Sequence, residues 1–154
     1  MKPRVMWVED SARLELRNFT GPIYYTGKYD FQLAEDVTQA INFMMVKSFD
    51  VVIIDIRLPP GLNDCWQILY RKSGSDKVKA QLGLKLISWL LGEDVGCKQT
   101  PPNWVQSNRI AVFSVESPNE IEPHLKELGI NLYTQKAAGL KDTALLELIE
   151  KVLV

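Results

Sequence analysis

The sequence is poor in the residues from which many binding sites are made. Its single histidine, His124, has no partner at metal-ligand spacing and reads as a surface helix residue. Lysine and arginine (18) nearly balance aspartate and glutamate (19), so no basic excess exists to follow a nucleic-acid backbone or an anionic membrane. No apolar run approaches the ~18 residues that a membrane span needs. The short apolar stretch after Met1-Lys2-Pro3-Arg4 meets Glu9 and Asp10 too soon to be a signal-peptide core. No glycine-rich loop follows Val8, which argues against a nucleotide-binding turn. Tandem repeats and low-complexity tracts are lacking too. The two cysteines, Cys65 and Cys97, lie 32 positions apart. They could pair, but two reduced thiols in a cytoplasmic chain is the expectation.

What is present is an ordinary globular composition, 46% hydrophobic and 24% charged, which argues against a disordered chain. A length of 154 residues fits one domain over 1–154. Short apolar runs alternate with helical periodicity. Val5-Met6-Trp7-Val8 reads as a buried strand, with Ser11 capping a helix from Ala12 to about Asn18 and Thr20-Gly21-Pro22 as punctuation. Phe31 to Ala34 is a weaker strand. Asp36 can cap a helix carrying Val37, Ala40, Ile41, Met44 and Met45 on one face. Val51-Val52-Ile53-Ile54 is β-branched throughout, as a central parallel strand covered on both faces requires.

Further on, Leu82 to Leu91 is helical and Ile110 to Phe113 a buried strand. Ser117-Pro118 opens a helix that Pro123 should shorten or kink and that Gly129 ends. Ile130 to Thr134 is a last strand and Leu140 to Val154 a last amphipathic helix. Five strands alternating with five helices imply an α/β fold with a parallel sheet, right-handed crossovers and helices on both faces. Residues 60–79 and 92–108 break the rhythm and read as loops or insertions.

Sites in open parallel sheets form beyond the carboxyl ends of the strands. Glu9 and Asp10 follow the first strand, Asp55 ends the third, Ser114 the fourth, and Lys136 lies just past the fifth. Alone, each has a plain reading: a cap, a turn residue, a surface lysine. Together they would bring three carboxylates, a hydroxyl and an ammonium to one edge. Crowded carboxylates repel, and a hard divalent ion such as Mg²⁺ relieves that repulsion. A phosphoryl group arriving at Asp55 would meet the metal, Lys136 and Ser114, with the Asp55 carboxylate as nucleophile.

These segments resemble the response-regulator receiver domain over nearly the whole chain, which implies a doubly wound, flavodoxin-like five-stranded parallel sheet in strand order 2-1-3-4-5. The resemblance rests on Val5-Met6-Trp7-Val8-Glu9-Asp10, Phe49 to Pro59 around Asp55, Ala111-Val112-Phe113-Ser114, and Leu128-Gly129-Ile130 through Lys136. It implies that Asp55 is phosphorylated by a histidine kinase or phosphotransfer protein. It also implies that Asp10, Asp55 and the Arg57 backbone carbonyl bind Mg²⁺ directly, with Glu9 acting through water. Lys136 would contact the phosphoryl oxygens, and Ser114 would move to let Tyr133, the switch aromatic, turn inward. A downstream protein would read the result.

Three departures qualify the likeness. Ala137 stands where the family has proline, so the Lys136-Ala137 bond should be trans. Asp55 and Ser114 are 59 positions apart, roughly twice the family spacing, and the excess should border the site because much of it follows Pro60. Pro123 should distort part of the usual output face. Trp66, Trp89 and Trp104 fall in or near the extra material, where the expectation is that they staple it down; a partner contact is the other reading. The leading function is a stand-alone phosphoacceptor, since the chain stops at the last helix. The alternative is a receiver-like interaction module that works without phosphorylation. An aspartyl phosphatase of the haloacid-dehalogenase type is disfavoured, because Arg57 stands where that chemistry wants a second carboxylate.

Overall fold

The computed structural model describes residues 1–154. Five strands form one parallel sheet: β1 (Arg4–Val8), β2 (Asp30–Ala34), β3 (Val51–Ile54), β4 (Ile110–Ser114) and β5 (Tyr133–Gln135). Their order is β2-β1-β3-β4-β5, as expected. The unbroken apolar runs follow from burial on both faces, since alternate residues of a strand point to opposite sides. Met6, Val8, Val52, Ile54, Ile110 and Val112 enter one core cluster; Val5, Trp7, Val51, Ile53, Ala111 and Phe113 enter the other.

The helices are α1 (Thr20–Thr26), α2 (Val37–Val46), α3 (Asp64–Lys72), α4 (Lys77–Ala80), α5 (Leu82–Leu90), α6 (Pro118–Glu127) and α7 (Ala144–Leu153). Residues from α1 and α7 pack in the second cluster, and residues from α2 through α6 in the first. Each helix therefore covers one face of the sheet, with crossovers on both sides.

Several local expectations are corrected. Residues 12–16 form turns, a 3₁₀ turn spans Arg17–Phe19, and the first helix starts at Thr20. Leu14 is 75% exposed, and only Ala12 and Leu16 of this segment meet the core, too little apolar contact to hold a helix on the sheet. Gly21-Pro22 lies inside the first turn of α1, where the missing proline N–H would have been unpaired anyway. Met45 is exposed, and the buried face of α2 is Val37, Ala40, Ile41 and Met44. α6 runs unbroken through Pro123, carried by buried Ile121 and Leu125 on the opposite side from exposed Pro123. β5 begins later than expected, at Tyr133, and α7 begins at Ala144.

The largest difference lies between β3 and β4. Residues 60–79 are not a loop: they hold α3 and α4. Asn63 caps α3 by accepting from Trp66 N at 3.3 Å, and Trp66 is buried. Residues 92–108 stay irregular apart from a 3₁₀ turn at Ser107–Arg109. Cys65 of α3 and Cys97 of that irregular segment form a disulfide, against the expectation of free thiols. Their spacing in sequence gave no hint, but folding brings their Cα atoms to 5.8 Å, within bonding range. The pairing also removes the support that free thiols would lend to a reducing compartment. The tryptophans act as staples. Trp66 meets Trp89 edge to face at 6.3 Å, Trp89 Nε1 donates to Gln99 O, and Trp104 Nε1 donates to Met44 O. His124 is exposed, and the Lys136-Ala137 bond is trans. No helix is long and apolar enough to cross a membrane.

Candidate functional site

The ladder hydrogen bonds continue just past the strands and fix the residues that follow them. Glu9 N donates to Ala34 O at 2.8 Å, Asp55 N to Val8 O at 3.0 Å, and Lys136 N to Ser114 O at 2.8 Å. Register alone thus carries Glu9, Asp55, Ser114 and Lys136 to one edge of the sheet. The loop after β3 is held from the other side by the N-terminus of α2, where Val37 N and Thr38 N donate to Pro59 O and Pro60 O.

Carboxylate oxygens of Glu9, Asp10 and Asp55 lie within 4.8 Å of one another. Glu9 and Asp55 are buried, and Asp10 is half-buried. Lys136 Nζ donates to Glu9 Oε1 and stands 3.6 Å from Asp55 Oδ2. Asp55 Oδ1 and Ser114 Oγ are buried without a hydrogen-bond partner. An orphaned carboxylate oxygen beside two more carboxylates is a donor set of the kind hard divalent cations take. The group opens to an accessible cleft of about 560 Å³ lined by Asp10, Asp55, Arg57, Lys77 and Lys136 among others.

Electrostatics divide the three acids. Burial, then the charge of Asp55, push the Glu9 carboxyl up to about 8 despite Lys136. Burial also raises Asp55, against the pull of the Lys136 charge. For Asp10, burial works upward, but hydrogen bonds from Lys77 and Glu9 and the Lys77 charge outweigh it and leave the group below its ordinary value.

The expected residues therefore meet, with two of them in a particular setting. The Arg57 side chain leaves the cleft centre and donates from Nε to buried Glu116 Oε1 at 2.6 Å. Tyr133 is half-buried, and its hydroxyl donates to Ser114 O at 3.1 Å and to Glu116 O. Burial, helped by Glu116 and Asp55, pushes the Tyr133 hydroxyl up to about 12.

Three further residues at the site escape a reading by strand ends. Lys77 belongs to α4 and donates from Nζ to Asp10 Oδ2 at 2.7 Å. Glu116 lies two residues past β4. Gly83 of α5 packs on the Asp55 backbone so closely that a Cβ there would sit 1.9 Å from Asp55 O. The signal for Lys77 was the position of the extra material directly after Pro60; nothing in its polar run marks which lysine reaches the acids.

No protein-family model matches the chain, and no curated protein matches it in sequence. Solved structures do match. The receiver domain of the Francisella response regulator 1452 is 18% identical with a TM-score of 0.62, covering 99% of this chain and 94% of its own. The non-phosphorylated HemR receiver domain from Leptospira biflexa is 20% identical with a TM-score of 0.63, over 99% and 94%. The Mn²⁺-bound form of response regulator Rcp1 is 15% identical with a TM-score of 0.60, over 96% and 90%. From its first strand to its last helix, the chain has the fold of the response-regulator receiver domain.

Proposed function

We propose that this chain is a phosphoacceptor in two-component signalling, with Asp55 as the residue phosphorylated. The reading rests above all on Asp55: a buried carboxylate with an unpartnered oxygen, beside two more carboxylates, a lysine and a free hydroxyl. The Asp55 carboxylate attacks the phosphorus of a histidine kinase or phosphotransfer protein. The phosphorus–nitrogen bond of the donor phosphohistidine breaks as the acyl phosphate forms, and the imidazole leaves carrying a proton. Lys136 offsets the charge on the incoming oxygens, and Ser114 supplies a hydroxyl donor that no other group occupies.

The donor set fits Mg²⁺, which Asp10, Asp55 and the Arg57 carbonyl would hold, with Glu9 through water. When bound, the ion neutralises the acids and the phosphoryl charge together. Phosphorylation would then draw Ser114 inward, and with it the main-chain carbonyl that now accepts from Tyr133. That hydrogen bond couples the site to β5 and to a partner docking beside it. The protein signals by contact and does not turn over a substrate.

Incubation with Mg²⁺ and acetyl phosphate, followed by intact-mass measurement, should add one phosphoryl group, and Asp55→Asn should abolish it. Tryptophan fluorescence should respond to beryllofluoride in the same Asp55-dependent way. Wild-type protein that neither gains mass nor responds would overturn the proposal and leave a phosphorylation-independent interaction module.

A further inference from the structure

The acidic edge holds two ammonium groups, and they serve different carboxylates. Lys136 is nine-tenths buried and reaches Glu9 and Asp55. Asp10 has a single ion-pair partner, Lys77, at 2.7 Å. Lys77 comes from the material between β3 and β4, and packing holds it there. Asp76 caps α4 by accepting from Val78 N at 2.9 Å. Ala80 is fully buried, and Gln81, at φ +46°, turns the chain straight into α5. Gly83 N then donates to Ile56 O at 3.0 Å, against the backbone of Asp55 itself. Only a short stretch separates Lys77 from that anchor, so its ammonium is delivered to the acids by the same docking that seats α5.

We propose that Lys77 is the resident counter-ion of Asp10 and competes with a divalent cation for it, so that the segment between β3 and β4 sets the cation affinity of the site. The proposal rests on the receiver reading above. A carboxylate oxygen that accepts from an ammonium has its lone pair engaged, and a metal ion needing that oxygen must displace the ammonium. Displacement is feasible because the Lys77 side chain is 43% exposed and ends a flexible four-carbon stem. It still opposes binding, because the ion pair is lost. Lys136 is not a second competitor for Asp10; it is engaged with the two buried acids.

The test measures cation binding and needs no phosphorylation. Mn²⁺ affinity is read from loss of the free-ion electron paramagnetic resonance signal, and Mg²⁺ affinity by calorimetry, on the full chain with its disulfide intact. Lys77→Gln should bind both ions about fivefold more tightly than wild type, the upper end of the gain appropriate to a partly exposed ion pair. Lys79→Gln removes the same charge from an exposed neighbour and should stay within about twofold. Lys77→Arg keeps the charge and should stay near wild type. Circular dichroism checks each fold, and Lys77→Met carries the same expectation should the glutamine variant not fold. Binding by the Lys77 variant alone would also support the proposal. Equal or weaker binding by that variant, or an equal gain in Lys79→Gln, would overturn the inference while leaving the receiver reading intact. No binding by any variant would overturn both.

Discussion

At the residue scale, Glu9 shows how the site opposes its own fold. Its carboxyl is raised from an ordinary 4.5 to about 8, so between those values the folded protein keeps a proton that the unfolded chain has released. Stability of the chelator-treated protein should therefore fall as pH rises across that window, by an amount on the order of 4 kcal/mol at most. Urea unfolding at about pH 5 and about pH 8 measures the difference, and Glu9→Gln should flatten it. Added Mg²⁺ should recover most at the alkaline end, where the acid is charged. A midpoint that rises with pH would contradict this account. Glu9, Asp10, Asp55, Ser114 and Lys136 were all legible as candidates because each follows an apolar run that declares a buried strand. Lys77 and Glu116 were not, since a lysine in a polar run and a glutamate in a loop look the same whether solvated or paired.

At the scale of elements, the strands were the readable part and the connections were not. A strand buried on both faces leaves a continuous β-branched run, as in Val51 to Ile54. α3 has only one buried residue, Trp66, so its pattern is mostly polar and it passed for a loop. Conversely, the segment after Ser11 has helical spacing, but Ala12 and Leu16 alone meet the core and Leu14 is exposed, so it forms turns. The docking of α5 is another matter that spacing cannot reveal. Gly83 lies in the first turn of α5, where spacing gives a glycine no special meaning, yet there is no room for a methyl group. Gly83→Ala should cost about 3 kcal/mol in thermal or urea unfolding and should weaken divalent-cation binding, because α5 must retreat from Asp55. A neutral substitution would mean that α5 is not held against the strand end.

At the scale of the whole molecule, the material between β3 and β4 is integrated into the domain. Helix α3 is tied to the 92–108 segment by Cys65–Cys97, a closure spanning 32 positions, and the tryptophans pin both to the core. Replacing both cysteines with serine should lower unfolding free energy by about 3 kcal/mol, read from the urea midpoint, with the native fold retained. An unchanged midpoint would mean that packing alone holds the segment. By itself the sequence determined the alternating strands and helices of a parallel sheet and the set of residues at the strand ends, because hydrophobic periodicity is a local record of burial and strand ends are where it stops; the strand order came from the family likeness. The tertiary structure alone decided the cysteine pair, the helices after Pro60, the Arg57–Glu116 contact and the arrival of Lys77 at Asp10. The cysteine pair, the Arg57–Glu116 contact and the Lys77–Asp10 pair join residues far apart along the chain, and the helices after Pro60 are held by packing on distant core residues, so both depend on distances in space that no local pattern encodes.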